Sequence, residues 1–235
     1  MIAAAAVMAL ALHAAVSPSR AAPLIPVSIG ITLTNRARTP VTMDFPTPDL
    51  FWLQVRDSGG KAIFDSRTGH KAIEVHRKFP LAVGTTRIAI FEWNGLTDDR
   101  TAPQVPGQYT VHVEVQSTTS HLVADLPLVL EAPQPISSVL GAKPNAQVTI
   151  EGTAERDGGR TYIVDNSGKI RISSPLGLRP QGEFVVRGTL GTMPGDDRPA
   201  LLVSRYAPAA GNLEPEGTPT PPPLPSPNPT ATRRS

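Results

Sequence analysis

The sequence predicts an all-β protein that consists of a β-sandwich, a small closed β-barrel and a proline-rich tail. The 235 residues include 19 glycines and 26 prolines, a proportion that suits short strands joined by many turns. Apolar residues make up 40% of the chain, which is enough to build real cores. Apolar and polar residues alternate in many short segments, and this period of two is typical of half-buried strands.

The composition excludes several classes of site. The chain has no cysteine, so disulfides, thiolate catalysis and cysteine metal sites are excluded. The net charge is only +2, and no segment of the sequence concentrates the basic residues. The composition therefore does not point to nucleic acid or to an anionic membrane as a partner.

The N-terminal segment has the features of a secretory signal. Ile2–Leu12 is an unbroken apolar run, too short to span a bilayer comfortably. Ser19 and Ala21 offer small residues at the two positions that a signal peptidase reads. We therefore predict that residues 1–21 are a signal peptide cut after about Ala21, and that the protein is secreted or lies in the cell envelope. The alternative is a signal anchor that stays in place, which would be the protein's membrane attachment.

Residues 24–132 are predicted to form an immunoglobulin-like β-sandwich without a cysteine pair. About seven short segments in this region have one apolar face and are separated by turn signals, as expected when two sheets pack together. The clearest of these segments are Val27–Asn35, Leu50–Arg56, Lys61–Ser66, Thr86–Trp93, Tyr109–Val115 and Leu122–Leu130. The glycines of Asp57–Gly60 favour a tight turn between two of them.

The stretch FEWNGLTDDRTAPQVPGQYTVHVEV, residues 91–115, joins two apolar runs through many turn residues. Trp93-Asn94-Gly95 ends one strand and reverses the chain. Pro106-Gly107 starts the next strand, where Tyr109 begins the buried face with a hydroxyl that can cap the corner. The stretch contains no general base, nucleophile or metal-ligand set, so we predict that it builds the sandwich rather than a catalytic site.

A second β-domain is predicted at residues 146–208, after a proline-interrupted linker at 133–145. VTIEGTA (Val148–Ala154) and FVVRGTL (Phe184–Leu190) share a Gly-Thr pair at the same point of an alternating pattern. Glycine lets a strand coil sharply, so the two segments suit adjacent first and fourth strands of a five-stranded barrel, the order of an OB-fold. Residues 209–235 are too rich in proline to form a core, and we predict that they are disordered.

Four motifs in residues 27–130 resemble a known family. Leu33 and Asn35 lie near the end of the first strand, and Phe51-x-Leu-x-Val-x-Asp57 forms another. Gly84 precedes an aromatic strand that ends at Trp93, and Pro106-Gly107-x-Tyr109 follows. In this order the motifs are similar to those of the BsuPI family of intracellular proteinase inhibitors. The resemblance implies an immunoglobulin-like sandwich and inhibition of serine proteases, but it identifies no inhibitory loop. The barrel resembles bacterial OB-fold modules of the tRNA-anticodon-binding-like type.

Candidate contact residues come from the sandwich. Trp52 shares a polar strand face with Gln54 and Arg56, and an exposed Trp is a typical contact hot spot. The predicted protein-binding residues are Trp52, Asn94, Asp98 and Asp99, and the candidate loops are Asn94–Pro106 and Ser66–Lys78. The alternative for Trp52 is packing beneath a loop. Asp98-Asp99 and Asp196-Asp197 could each pair as metal ligands or as acid/base carboxylates, but both pairs lie in loops where solvated turn residues are commoner.

No catalytic, cofactor-binding or metal-binding residue is predicted. His13 would leave with the signal peptide, and the other histidines lack the spacing of metal ligands and are expected on solvated strand faces or turns: His70, His76, His112 and His121. Lys169 and Arg171 are basic and point outward from the predicted barrel. Tyr162 and Phe184 are expected to face its interior, which argues against nucleic acid as a ligand.

The predicted function is that of an exported, non-enzymatic protein that binds a protein partner without a cofactor. A serine protease, inhibited by a rigid loop or a strand edge of the sandwich, is the candidate partner. One alternative is a structural scaffold of the cell envelope. Another is binding of oligosaccharide or nucleic acid by the barrel.

Overall fold

The computed structural model describes residues 10–69, 76–98, 103–173, 182–194 and 196–209. These residues form strands almost throughout, arranged as a β-sandwich and a closed β-barrel. The prediction of an all-β protein with a sandwich and a second β-domain is confirmed. The predicted disordered tail lies outside the described residues, apart from Ala209, which is buried.

The sandwich contains ten strands. They are β1 (Leu10–Ser17), β2 (Arg20–Ala21), β3 (Val27–Asn35), β4 (Val41–Phe45), β5 (Phe51–Arg56), β6 (Ala62–Asp65), β7 (Arg77–Leu81), β8 (Thr86–Trp93), β9 (Gly107–Gln116) and β10 (His121–Leu130). One sheet has the order β1-β3-β8 and the other has the order β2-β10-β9-β5-β6. A separate pair, β4-β7, covers part of the core.

The core of the sandwich follows from the period-two alternation of its strands. In β3 every second residue is buried, and Ile29, Ile31 and Leu33 are fully enclosed. They belong to the same cluster as Leu53 of β5 and Val111 of β9, which come from the opposite sheet. Each fully buried side chain of this size contributes about 1.5–3 kcal/mol, so the interface between the two sheets is the main source of stability in this domain.

The N-terminal segment belongs to the sandwich. Strand β1 pairs with β3 along its whole length, from Leu10 opposite Asn35 to Ser17 opposite Ser28. The short strand β2 runs parallel to β10, and Ala21 is fully buried. Cleavage after Ala21 would remove both strands from their sheets. The assignment of residues 1–21 as a signal peptide stays a prediction.

The second domain is a five-stranded barrel. Its strands are β11 (Gln147–Asp157), β12 (Arg160–Asp165), β13 (Gly168–Ile172), β14 (Glu183–Met193) and β15 (Asp196–Pro208). They close in the order β11-β12-β13-β15-β14, with β14 also paired to β11. The first and fourth strands therefore lie side by side as predicted, while the assignment of this barrel as an OB-fold stays a prediction.

Two glycines let the barrel close. A Cβ at Gly152 would lie 2.4 Å from the Val164 carbonyl oxygen, and a Cβ at Gly188 would lie 2.4 Å from that of Leu202. No side chain fits at such a distance, because the obstacle in each case is the backbone of a neighbouring strand. These are the glycines of the two matched sequence segments, and their role in tight strand coiling agrees with the prediction.

The segment 133–145, predicted as a linker, contains a short helix, α1 (Ile136–Leu140). Ile136 and Val139 of α1 are fully buried in the barrel core. The Asp165 carboxylate accepts a hydrogen bond from the Ile136 amide at 2.9 Å and fixes the start of the helix. Much of this segment is therefore part of the barrel domain. Within the described residues, no helix combines the length and apolar character needed to cross a bilayer.

The sandwich and the barrel touch through a small apolar cluster. Leu24, Ile25 and Leu96 of the sandwich pack with Val185 of the barrel. The Arg205 guanidinium donates a hydrogen bond to the Pro26 carbonyl oxygen and a longer one, 3.4 Å, to the Ser28 hydroxyl. The segment between β2 and β3 thus connects the two domains.

Candidate functional site

The candidate site is a surface that we call the latched rim, formed by Asp65–Gly69 and Asn94–Asp98 with Trp52 behind them. Asp98 joins the two segments. One oxygen of its carboxylate accepts a hydrogen bond from the Asp65 amide at 2.8 Å, and the other accepts one from the Thr68 hydroxyl at 2.8 Å. Because a charged acceptor makes stronger hydrogen bonds than a neutral one, Asp98 holds the turn after β6 in one position.

Asp65 is the centre of the hydrogen-bond network behind the rim. Its carboxylate accepts hydrogen bonds from the Trp52 indole at 2.8 Å, the Gln54 amide group at 3.0 Å and the Arg67 backbone amide at 2.9 Å. Burial raises the pKa of Asp65, but the bonds donated by Arg67, Gln54 and Trp52 outweigh it, so the pKa lies below its ordinary value. The ionised form of Asp65 is therefore the one that this structure stabilises.

Trp52 lies on the polar face of β5, as predicted, but it is covered. The Arg67 guanidinium carbon lies 3.5 Å from the centre of an indole ring of Trp52, a cation–π contact. His112 meets the same side chain edge-on, with ring centroids 6.0 Å apart. Trp52 is half-buried and serves as a platform for the turn. A partner that approaches this surface meets Arg67 before it meets the indole.

Asn94 is exposed and supports the second segment of the rim. Its side-chain oxygen accepts a hydrogen bond from the Leu96 amide at 3.3 Å. Gly95 has a φ of 75°, which favours glycine, and its carbonyl accepts a hydrogen bond from the Gln104 amide at 2.7 Å. Leu96 also pairs with Pro103, so the loop after β8 is closed at its base.

The far end of this loop is also fixed. The buried Tyr109 at the start of β9 donates its hydroxyl to the Val105 carbonyl at 2.6 Å, as the sequence predicted for the corner. Burial raises the pKa of the Tyr109 hydroxyl, with a smaller contribution from Asp57, so the hydroxyl remains a donor at neutral pH. The loop is therefore held on both sides of residues 99–102.

The structure brings together two of the predicted contact residues, Trp52 and Asp98, through Asp65. Asn94 lies in the same loop as Asp98, while Asp99 lies outside the described residues, as do residues 70–75 and 99–102 of the candidate loops. The candidate loop Ser66–Lys78 contains Arg67 and Thr68 without singling them out, and sequence reasoning missed Asp65. The DSRTG stretch, residues 65–69, is a turn signal that could have located them, since Asp begins and Gly ends many tight turns.

The expectation that His112 is solvated is wrong. His112 is 8% exposed, and its Nδ1 lies 2.7 Å from a carboxylate oxygen of Asp125 on the paired strand. It is enclosed because Trp52 packs against its ring. His76 and His121 are exposed, and His70 lies outside the described residues. In the part of the chain that the structure describes, no group of three histidine or acidic side chains could hold a metal ion.

The sandwich has a second surface suited to a protein partner. Ile88 and Ile90 point outward from β8, and each is 72% exposed. Strand β8 is at the edge of its three-stranded sheet. An edge strand with exposed isoleucines is a site at which another strand can add.

Comparison with known proteins gives one family match and several distantly similar solved structures. Residues 10–120 match the family model of BsuPI, described as intracellular proteinase inhibitor. No curated protein matches the chain. The similar solved structures include an alkylpurine DNA glycosylase from Pseudomonas fluorescens bound to DNA containing an abasic site analog, at 20% identity and a TM-score of 0.34. That match covers 53% of this chain and 31% of the glycosylase chain.

Two other structures are similar at the same level. A CARDB domain from Pyrococcus furiosus in complex with di-metal ions has 11% identity and a TM-score of 0.33, covering 52% of this chain and 87% of that one. A β-glucosidase from Erythrobacter marinus has 14% identity and a TM-score of 0.33, covering 52% of this chain and 15% of that one. At such TM-scores the likenesses carry no argument about function.

The family match corrects one prediction and agrees with another. Its members are described as intracellular, which points to the cytoplasm, so the prediction of a secreted or cell-envelope location is wrong. The envelope-scaffold alternative depended on that location and is set aside with it. A family of inhibitors is non-catalytic, in agreement with the expectation that the chain is not an enzyme.

The matched region starts at the first residue of β1 and ends just before β10. Residues 10–120 of the sandwich are a BsuPI domain, of the kind described as intracellular proteinase inhibitor.

Proposed function

We propose that the sandwich inhibits a serine protease by presenting the latched rim to the active-site cleft. The observation that carries this proposal is the pair of hydrogen bonds from Asp65 and Thr68 to the Asp98 carboxylate. An inhibitory loop must keep its shape when bound, because a loop that is already ordered loses less entropy on binding. The rim has this property without a disulfide.

The positive charge of the rim suits a protease whose active-site cleft has acidic or polar residues at its edge. Arg67 is exposed at the tip of the turn, and its guanidinium stacks on Trp52. This contact holds the positive charge in one position. Thr68 and Gly69 follow it on the same exposed turn. A contact centred on a supported Arg above a Trp has the composition of a binding hot spot.

The test is a titration of the purified full chain against a panel of serine proteases with chromogenic peptide substrates. We expect the hydrolysis rate of at least one protease to fall at a micromolar excess of the chain. We expect Asp98→Ala to weaken that inhibition about tenfold or more, since hydrogen bonds to charged groups contribute about 1.5–3 kcal/mol. Mass spectrometry should recover the chain uncut.

The matched control is Asp49→Ala, which removes an exposed loop carboxylate elsewhere in the sandwich. It should inhibit like the unaltered chain. A double variant, Ile88→Ser with Ile90→Ser, tests the exposed edge of β8. Loss of inhibition in that variant, with Asp98→Ala unchanged, would assign the contact to the strand edge and reject the rim. No inhibition of any protease in the panel would reject inhibition of serine proteases.

A further inference from the structure

We propose that two copies of this chain pair edge to edge through β8, in antiparallel orientation about a two-fold axis. Strand β8 ends one side of the sheet β1-β3-β8, so the pairing would join the three-stranded sheets of both copies into one sheet. It uses the edge of a strand rather than the turns of the latched rim. The proposal does not depend on inhibition of a protease.

Strand β8 is an unprotected edge. Sheet edges in soluble proteins are usually short, interrupted or covered, because an open edge can pair with another chain. The other edges of the two main sheets follow this rule, since β2 has two residues, β6 has four, and β1 lies against β10. Strand β8 has eight residues, contains no proline and pairs with β3 in one register without a bulge. It is therefore the long and regular edge among the described strands of these two sheets.

The hydrogen bonds between β3 and β8 show which backbone groups of β8 are open. The Asn35 amide donates to the Thr85 carbonyl oxygen at 3.1 Å, at the end of this ladder. The next pair, Thr34 and Thr86, has its hydroxyls 3.1 Å apart, as expected for a pair without backbone hydrogen bonds. Because the two kinds of pair alternate, odd-numbered residues of β8 bond to β3. The backbone groups that point to the open edge belong to the even-numbered residues: Thr86, Ile88, Ile90 and Glu92.

This phase limits how β8 can pair with its own copy. Open backbone groups must meet, so even-numbered residues face even-numbered residues. The register centred on Ala89 places Ile88 of each copy opposite Ile90 of the other, and Thr86 opposite Glu92. A centre at Ile90 would instead place Ile88 opposite the charged Glu92. A centre at Ile88 would place Ile90 opposite Thr86. The Ala89 register is therefore the one that pairs all four isoleucines with each other.

The side chains of β8 fit the Ala89 register on both faces. Ile88 and Ile90 are each 72% exposed, and pairing would cover them with apolar neighbours. On the axis, Ala89 meets its own copy in a pair without backbone hydrogen bonds, where the Cα atoms are only about 4.5 Å apart and a small side chain fits best. Arg87 comes opposite Phe91 of the other copy, an arrangement that allows a cation–π contact.

The size of the contact predicts a weak dimer. Eight residues of strand are about 27 Å long. A contact one strand deep buries less than the roughly 1,200 Å² at the lower end of stable interfaces. We therefore expect a dissociation constant in the micromolar range. A strand of an unrelated protein would need to match both the hydrogen-bond phase and the apolar pair of β8, whereas β8 matches both for its own copy.

The experiment is sedimentation velocity of the full chain at concentrations from about 1 to about 300 µM. We expect the mean mass to rise from that of one chain, 24.9 kDa, toward twice that value. Ile90→Lys should weaken the dimer at least about tenfold, because two buried isoleucines are lost in each dimer. The matched control is Val123→Lys on β10, where an exposed apolar residue of the other sheet receives the same charge. It should leave the dissociation constant within about twofold.

Single cysteines test the register, because the chain has no cysteine of its own. Ala89→Cys places two thiols on the axis at a Cα separation that a disulfide can span, so oxidised glutathione should link the two copies. Thr86→Cys is the control on the same strand. Thr86 faces Glu92 of the other copy, so the two introduced thiols would lie six positions apart, about 20 Å, and should not be linked.

Far-ultraviolet circular dichroism checks that each variant is folded. A mass of one chain at every concentration would overturn the proposal and leave the edge of β8 to a different protein. Equal losses in Ile90→Lys and Val123→Lys would show that the contact lies elsewhere. Equal crosslinking of Ala89→Cys and Thr86→Cys would reject the Ala89 register.

Discussion

The latched rim of the sandwich and the outer face of the barrel are shaped in different ways. The rim lies on turns and depends on side chains, with Asp98 and Asp65 accepting the hydrogen bonds that hold it. The outer face of the barrel lies on regular strands, where the backbone register alone brings Tyr162 opposite Arg171. A surface made of turns therefore needs dedicated polar side chains to stay ordered, whereas a surface made of strands obtains its order from the sheet.

The largest expected effect comes from the backbone of the barrel. Gly188→Ala places a Cβ against the Leu202 carbonyl, and we expect it to destabilise the barrel by about 1–3 kcal/mol. Gly191→Ala is the matched control on the same strand, because its Cβ would meet only the end of the Leu202 side chain at 3.4 Å. Urea unfolding followed by circular dichroism measures the difference.

The same variant tests whether the two domains depend on each other. Both tryptophans of the chain, Trp52 and Trp93, lie in the sandwich, so their fluorescence reports on that domain alone. We expect the fluorescence transition of Gly188→Ala to stay near that of the unaltered chain. A shift equal to the one seen by circular dichroism would instead show that the small interface between the domains couples their unfolding.

The next largest effect concerns the hydrogen bonds that Asp98 accepts in the latched rim. We expect Asp98→Ala to raise the hydrogen-exchange rate of the Asp65 amide about tenfold or more, because that amide loses its charged acceptor. The exchange of amides in β3, at the centre of its sheet, should not change. Unchanged exchange at Asp65 would show that the turn is held without Asp98 and would weaken the comparison between the two surfaces.

A smaller effect is expected at the other end of the same loop. Tyr109→Phe removes the hydroxyl that bonds the Val105 carbonyl and should cost about 1 kcal/mol of sandwich stability. Urea unfolding followed by Trp fluorescence measures this cost. Tyr162→Phe in the barrel is the matched substitution and should leave that transition in place. A cost near zero for Tyr109→Phe would mean that water replaces the lost donor.

The smallest effect is a pH dependence. The pKa of Asp65 lies below its ordinary value, so its ionised form stabilises the folded state at pH values above that ordinary pKa. This contribution is lost as the pH falls through the lowered pKa of the folded state. We expect Asp65→Asn to lower the melting temperature at neutral pH and the difference to shrink in acid. A difference that is constant with pH would assign the effect to geometry rather than to charge.

Many local features could be predicted from the sequence. The alternation in β3, β5 and β9, the glycines at 152 and 188 and the corner at Tyr109 each depend on residues close together in the chain. The phase of β12 could not be predicted, because Tyr162-Ile163-Val164 is apolar at three consecutive positions. When three consecutive residues are apolar, the alternation does not show which of them face the interior. In the closed barrel, Ile163 is the one that lies inside.

The sequence by itself determined the all-β class, the two β-domains and the BsuPI resemblance, because strand periodicity and turn chemistry are local properties. Only the tertiary structure decided that Leu10–Ser17 is a strand, that Asp98 fastens the turn at Asp65, and that Tyr162 faces outward. Each of these outcomes depends on a partner strand or turn that lies elsewhere in the chain. The local sequence pattern indicates that a segment can form a strand or a turn. The packing of the whole domain determines which other segment it pairs with.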